Sequence, residues 1–354
     1  MITGADEPTE RSRRRTLFRF VIGLVLAGLA LFVAIQLAGG LSDASDALAD
    51  VDGRWLLAGI GAEAASYVLL SWQLHRLAGR DADLAPNAAL RLGLVVFGLG
   101  LITPASPAEG MVLASAELTR RGLTRRRAAL TLIFSEWYAN GTLWLITGCA
   151  ILVASTVGDV PGDERGTLLG VAAFMLFVLA LVIALARRET VVQWVSVRLG
   201  VLAPHDRRVP VEERRARGSR WYTDARTITP TRTDVVVVVA IALAAWACDG
   251  LCLFFCLVAA GAVVRPDVLL LAYTVAVLAT GVPLLPAGLG VVETALPAVL
   301  SSYDVHHATA LAGALAYRGL GTFLPALAGA LVLPTLRVIR RRRKRANVAR
   351  RADA

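Results

Sequence analysis

Long apolar runs constrain this chain more than any other feature of its sequence. Several runs approach or exceed the roughly 18 residues that a helix needs to cross a bilayer, and hydrophobic residues make up 56% of the 354 residues. Charged residues make up only 18%, whereas soluble domains carry about 25%. The sequence therefore predicts an all-α polytopic membrane protein. A disordered chain, a secreted disulfide scaffold and a nucleic-acid-binding domain are excluded as its main identity.

The apolar runs divide into about eight full spans and two short, broken segments. The predicted spans are Leu17–Ala38, Trp55–Trp72, Ala88–Ile102, Ala128–Ser155, Thr167–Ala186, Asp234–Gly261, Val268–Val282 and Ala308–Leu333. Arginines cluster between alternate runs and at both ends of the chain, where the positive-inside rule places cytoplasmic segments. This distribution predicts a multi-pass protein of the cell membrane with both termini in the cytoplasm.

Charge also predicts how the chain is organised. The predicted parts are a cytoplasmic tail at 1–16, a first membrane half at 17–186, a basic cytoplasmic loop at 187–232, a second membrane half at 233–335 and a basic cytoplasmic tail at 336–354. Val191–Leu199 in the loop is compatible with an amphipathic helix on the membrane surface or with a solvated basic linker. The C-terminal tail is expected to touch anionic lipid headgroups, at about 1 kcal/mol per basic residue. The net charge of +10 thus points to topology and lipid, not to nucleic acid.

Prolines break the two short segments, which we predict to be half-helices or re-entrant segments. The breaks are Pro104 and Pro107 in segment 104–118, and Pro283 and Pro286 in segment 283–293. Both segments contain Pro-x-x-Pro-Ala, 179 residues apart, and a Gly-Thr pair recurs in the following spans at Gly141 and Gly321, 180 apart. The predicted topology inverts the second copy, which is typical of inverted repeats that enclose a midplane substrate site. Chance recurrence in this alanine-containing sequence is the alternative.

Ionisable residues within apolar segments are candidates for function because a charge at the bilayer centre costs about 2.5–3.5 kcal/mol on insertion scales. The candidate substrate-binding residues are Glu109, Glu136, Gly288, Gly290, Glu293, Tyr317 and Arg318, with Glu63 and Asp249 as further candidates. The Arg318 guanidinium suits phosphate, and glycine amides at a half-helix N-terminus also favour an anion. The glutamates could pair with Arg318, carry a proton or face a cationic headgroup. Buried ion pairs that only hold helices together are the alternative.

No cofactor or metal site is predicted. Cys248, Cys252 and Cys256 fall on one stripe of a helix, but the outer two would lie about 12 Å apart, too far to share one ion. We therefore interpret them as packing residues. The sequence contains no Walker loop, His-Glu-x-x-His motif or nucleophile elbow, so an ATP-driven pump is not expected from this chain alone.

The second broken segment and its surroundings resemble a known family. Pro283–Glu293, Ala316–Arg318 and Phe323–Pro325 are similar to the membrane domain of lysylphosphatidylglycerol synthases, which also occurs in stand-alone, flippase-like proteins. Residues 103–110, the arginines within 120–127 and Glu136 look like the first-half motif of that family. The chain differs at Ala287, where the family has glycine, and at Glu109-Gly110, where the family has the reverse order. Trp137 also stands where an arginine is frequent.

This resemblance implies a lipid translocase that binds a phospholipid or related headgroup in a midplane groove. Full-length synthases add an aminoacyl-transfer domain after the membrane part, and this sequence ends soon after its last predicted span. We therefore expect no aminoacyl transfer and no enzymatic activity. Membrane lipids are the expected partners, and a homo-oligomer is compatible with the sequence. A membrane-embedded enzyme, or an accessory or scaffold subunit of lipid or glycan assembly, is the alternative function.

Overall fold

The computed structural model describes residues 51–79, 82–98, 106–157, 162–202, 209–228, 231–280 and 290–332. Regular structure within these ranges is entirely helical. The helices are α1 (Gly53–Ala78), α2 (Pro86–Gly93), α3 (Ser106–Arg120), α4 (Arg125–Val157), α5 (Gly162–Ala186), α6 (Glu189–Leu202), α7 (Val211–Ala225), α8 (Arg232–Ala259), α9 (Pro266–Thr280), α10 (Val291–Ser301) and α11 (His307–Arg318). Two π-helical segments, Leu94–Gly98 and Gly319–Phe323, follow α2 and α11 directly.

Four helices in the described part of the chain are long and apolar enough to cross a membrane, which confirms a helical membrane protein. They are Gly53–Ala78, Arg165–Ala186, Arg232–Ala259 and His307–Val332. The predicted spans 88–102 and 268–282 correspond to the shorter apolar helices Pro86–Gly98 and Pro266–Leu278. The span predicted at 128–155 lies in α4, which has 33 residues but is not one of the four. Span 17–38 lies outside the described residues, so the total of eight stays a prediction.

Helix α5 has the surface expected of a helix in contact with lipid. Its membrane-spanning part has a mean hydropathy of 3.0, and only 11% of that stretch is buried inside the protein. Large apolar side chains such as Phe174 and Phe177 are 65% and 64% exposed. Water would make so large an apolar surface unfavourable, whereas hydrocarbon does not. Hydrophobicity all round this helix therefore places it in a bilayer.

The chain folds into two compact units, each assembled from separate stretches of the sequence. The described part of the first unit comprises 51–67, 91–98, 106–112, 248–280 and 290–332. The described part of the second comprises 68–79, 82–90, 113–157, 162–202, 209–228 and 231–247. Each unit therefore takes residues from both predicted halves, and the predicted inverted repeat stays a prediction.

Small residues allow the helices of the first unit to approach closely. A Cβ added at Gly59 of α1 would lie 3.1 Å from Leu320 Cδ1 and 3.7 Å from Cys256 Sγ. A Cβ added at Gly313 of α11 would lie 2.6 Å from Leu257 Cδ2 on α8. Glycines at such contacts let membrane helices pack at short distance. Helix α10 packs between α9 and α11, and these contacts bring several polar side chains of the unit together.

The basic loop of the second unit is helical. Helix α6 includes the segment for which the sequence allowed either a surface helix or a solvated linker, and α7, which the sequence did not predict, packs against α6. Arg214 is buried on α7, where its Nε donates to the Val209 carbonyl at 3.0 Å and its Nη1 to the Val197 carbonyl at 3.2 Å. Gln193 donates from Nε2 to Ser219 Oγ at 2.8 Å. These bonds hold the two helices as a hairpin.

Candidate functional site

A buried ion pair joins α10 to α11 in the first unit. Arg318 donates from Nε to Glu293 Oε1 at 3.0 Å, and the two side chains are 3% and 0% exposed. Arg318 also donates from Nη1 to Thr322 Oγ1 at 2.9 Å. The second oxygen of Glu293, Oε2, accepts the Gly290 N–H at 2.8 Å. We refer to Gly290, Glu293, Arg318 and Thr322 as the ion-pair cluster.

Local sequence explains why Glu293 lies where it does. Helix α10 begins at Val291, within the predicted broken segment 283–293. Gly290 precedes its first residue with φ +85°, a backbone region that glycine occupies without strain. Glu293 is the third residue of α10, so its carboxylate reaches back to the Gly290 amide as in a capping box. The same carboxylate therefore ends the broken segment, caps α10 and holds Arg318.

A second cluster surrounds Asp249 of α8. Tyr273 of α9 donates from its hydroxyl to Asp249 Oδ2 at 2.7 Å. Tyr317 of α11 donates to Oδ1 at 3.2 Å and to Oδ2 at 3.1 Å. Asp249 and Tyr273 are 8% and 4% exposed. A Cβ added at Gly59 of α1 would lie 3.8 Å from the Cys252 carbonyl oxygen of α8. Glu63 lies one helical turn further along α1, which places its carboxyl beside Cys252 and Asp249.

Glu63 is the last member of this second cluster, and one of its carboxyl oxygens lacks a hydrogen-bond donor. Glu63 is 5% exposed, and its Oε2 is buried with no hydrogen-bond donor. Burying a polar oxygen without a donor costs free energy, and two carboxyl groups in contact repel each other if both are ionised. We refer to Glu63, Asp249, Tyr273 and Tyr317 as the carboxyl cluster.

The comparison with known families decides the identity of the chain. The sequence model described as "Lysylphosphatidylglycerol synthase TM region" matches residues 20–329, which is most of the chain. The chain belongs to this family. A search of curated proteins gave no match. Membership agrees with the resemblance of the second broken segment and with the membrane helices.

Membership in the lysylphosphatidylglycerol synthase transmembrane family is consistent with a lipid-related role in a membrane. The family match covers residues of both compact units, so it concerns the membrane part as a whole. The same match includes α1, α8, α10 and most of the span that contains α11, and hence both polar clusters.

The structure brings together six of the residues that the sequence singled out, in two groups, with Glu63 and Asp249 in the second. Glu293 and Arg318 form the ion pair with Gly290 beside them, as one of the alternatives for the glutamates anticipated. Tyr317 instead bonds to Asp249. Because Tyr317 and Arg318 are neighbours on α11, this one helix contributes a side chain to each cluster.

Other predicted site residues lie elsewhere. Glu136 of α4 belongs to the second unit, where Asn140 donates from Nδ2 to its Oε2 at 3.1 Å. Glu109 and Pro107 lie within α3, but their side chains are outside the described structure. Pro104, Pro283, Pro286 and Gly288 also lie outside it. The functional roles predicted for these residues remain predictions.

Two members of the clusters were missed by sequence reasoning. Tyr273 lies in the middle of an apolar helix, where a tyrosine is expected to be a packing residue unless its hydroxyl has a partner. Its hydroxyl could have been matched to Asp249 only by knowing that α8 and α9 are adjacent. Thr322 was noted only as part of a Gly-Thr repeat, yet its position four residues after Arg318 places both on one helical face. That spacing was the available signal.

The cysteine stripe of α8 contributes no metal centre to the described part of the chain. Cys252 and Cys256 are buried thiols, and Cys248 is partly buried. The described residues contain no group of three or more His, Cys, Asp or Glu side chains that could hold a metal ion. Glu63 and Asp249 bring two carboxyl groups of the described chain together.

Proposed function

We propose that this protein moves a phospholipid or a related lipid across the membrane by binding its headgroup beside Arg318. The observation that carries the proposal is a buried arginine in an apolar segment, paired with a glutamate of the helix that begins within the second broken segment. Because a charge in such a place is costly, it is a candidate for binding or transport. The lysylphosphatidylglycerol synthase family match supports a lipid as the ligand.

The surroundings of Arg318 suit an anionic group of a headgroup. Its planar guanidinium can bond a phosphate through two parallel N–H groups. Its partner Glu293 is the third residue of α10, so the first amides of that helix lie close by and add a partial positive charge. Phosphate and the Glu293 carboxylate compete for one guanidinium. We therefore propose that headgroup binding exchanges one anion for the other.

The π-helical segment after Arg318 supports movement of α11 during such an exchange. Gly319–Phe323 contains Thr322, which accepts a bond from Arg318 at 2.9 Å. π-helical segments within helices are frequent at functional sites. Glu109, Glu136 and Gly288 stay proposed headgroup contacts on the strength of the sequence alone. A cell-membrane location, cytoplasmic termini and contact of the basic tail with anionic lipid also belong to the proposal.

Lipid movement in proteoliposomes tests this function. Fluorescent phosphatidylglycerol, phosphatidylethanolamine and aminoacylated phosphatidylglycerol are followed between leaflets in the presence of wild-type protein and a charge-neutral double variant, Glu293→Gln with Arg318→Met. The double variant removes both members of the buried pair, so the fold is expected to survive, and glutamine at position 293 can still accept the Gly290 amide. We expect headgroup-selective movement in the wild type and its loss in the double variant.

Glu117→Gln provides the matched control. Glu117 is also buried in a helix and pairs with arginines, with its Oε1 at 3.2 Å from Arg121 Nη2, but it belongs to the second unit and is not proposed to contact lipid. Equal transport by wild type and the folded double variant would overturn the role of Arg318. A lipid that changes chemically during the assay, without crossing the bilayer, would favour a membrane-embedded enzyme instead.

A further inference from the structure

We propose that Glu63 and Asp249 share one proton and that this proton is exchanged with water as lipid is moved. The inference rests on the proposed function and specifies its source of energy. It depends on the carboxyl cluster, whereas headgroup binding depends on the ion-pair cluster. The two clusters use different side chains, so each role can be removed separately.

The shared proton follows first from hydrogen bonding. The Glu63 carboxyl contacts that of Asp249, yet Glu63 Oε2 is buried with no donor. Two ionised carboxylates have four acceptor oxygens and no hydrogen between them. A proton on one of them supplies the missing donor and turns the contact into a hydrogen bond. Two carboxyl groups that lie side by side and cannot both ionise hold one proton between them.

Charge balance points the same way. The titratable groups that face the pair are Tyr67 of α1, Cys248, Cys252 and Cys256 of α8, Tyr273 of α9 and Tyr317 of α11. None of these groups is basic, so within the described part of the chain no cation offsets the two carboxylates. The tyrosine hydroxyls stabilise one negative charge on Asp249, and a proton removes the other.

Protonation and exposure to water are therefore linked. While the cluster is buried, losing the proton would leave two uncompensated charges in a low-dielectric interior. Once water reaches the cluster, both carboxylates can be hydrated and the proton can leave. The proton binds from water on one side of the membrane and leaves on the other side. It therefore crosses the membrane with the conformational change that closes and opens the carboxyl cluster.

Helix α11 connects this proton to the headgroup. Tyr317 donates to Asp249, and the next residue, Arg318, holds Glu293. A displacement of α11 that releases Arg318 to a headgroup must also displace the Tyr317 hydroxyl from Asp249. The charge on the carboxyl cluster and the occupancy of Arg318 are coupled through one rigid element.

The test imposes a pH gradient on proteoliposomes that carry the fluorescent lipids, with the membrane potential clamped to zero by potassium and valinomycin. If one proton accompanies each lipid, a gradient of one pH unit shifts the leaflet distribution about tenfold in the wild type. Glu63→Gln mimics the protonated acid permanently, so its distribution should not respond to the gradient. Glu117→Gln should respond as the wild type does.

The outcomes separate this inference from the proposed function. Lipid movement that is indifferent to pH in the wild type, or that follows a sodium gradient instead, overturns proton coupling and leaves translocation intact. No movement of any lipid under any gradient overturns both. An unchanged pH response in Glu63→Gln also overturns the assignment to this pair.

Infrared spectroscopy tests the shared proton without any transport. A protonated carboxylic acid has a carbonyl band that shifts in D₂O, and the wild type should show one at neutral pH. The band should be lost in Glu63→Gln and kept in Glu117→Gln, which removes a buried carboxylate of the second unit that is paired with arginine. A wild type without this band, or a band that survives Glu63→Gln, contradicts the proposal.

Discussion

The ion-pair cluster and the carboxyl cluster lie on neighbouring residues of α11 but solve opposite problems. In the ion-pair cluster, both carboxylate oxygens of Glu293 have donors, and the charges of Glu293 and Arg318 cancel. In the carboxyl cluster, two acidic groups face each other, and Glu63 Oε2 has no donor. The ion pair has its hydrogen bonds and charge balance without a ligand, whereas the carboxyl pair obtains them only when it binds a proton. The difference predicts opposite responses to removal of charge.

The largest effect is expected from breaking the ion pair on one side. Arg318→Met leaves Glu293 as an uncompensated buried charge, which typically costs about 3–5 kcal/mol. Adding Glu293→Gln removes that charge and should recover most of the loss. Thermal and denaturant unfolding in a mild detergent measures both steps.

A single Arg318→Met variant as stable as the wild type would contradict this view of the ion-pair cluster. It would mean that Glu293 is hydrated or protonated, so that the two clusters are alike. A double variant no more stable than the single variant would show that the guanidinium acts through its bond to Thr322 more than through its charge.

The two tyrosines sharpen the description of the carboxyl cluster. Tyr273→Phe removes a 2.7 Å bond to Asp249, in the short range of a hydroxyl bonded to an ionised carboxylate, and should cost about 1.5–3 kcal/mol. Tyr317→Phe removes longer contacts of 3.1 and 3.2 Å and should cost less. Unfolding measurements on the two variants side by side give the order of their stability losses. A larger loss in Tyr317→Phe would indicate that Asp249 is stabilised mainly by its bond to α11.

The glycine before α10 tests whether the ion-pair cluster depends on backbone geometry as well as charge. Gly290 has φ +85°, so Gly290→Ala should cost about 1–2 kcal/mol. Gly170→Ala in α5 is the control, because a Cβ there meets no atom within 4 Å. Circular dichroism melting curves compare the two. Equal stability of both variants would show that the backbone of the broken segment relaxes freely at this position.

The sequence was sufficient for the elements whose signal is local. The spans that contain α1, α5, α8 and α11 follow from apolar length alone, and Glu293 and Arg318 stand out because charge is rare in such segments. Tyr273 could not be assigned, since its role depends on α8 and α9 lying side by side, a contact that no local pattern encodes. Helix α7 was missed for a related reason. Its charged sequence is typical of a linker, and the buried Arg214 stabilises it only through partners in α6 and the preceding turn.

The smallest effect is expected from Glu63→Gln, and comparing it with the same change at Glu293 contrasts the two clusters directly. Glutamate to glutamine at position 293 leaves Arg318 with an uncompensated charge and should cost about 3–5 kcal/mol. The same change at position 63 should cost less than about 1 kcal/mol, because an amide has the shape of a protonated carboxyl and can donate to Asp249 in its place. Unfolding of Glu63→Gln and Glu293→Gln under identical conditions measures the contrast. If Glu63→Gln costs as much stability as Glu293→Gln, Glu63 is ionised and held by a cation, and the proposal of a shared proton is wrong. If Glu63→Gln leaves stability unchanged or raises it, the acidic side chain at position 63 is retained for binding a proton and not for stability.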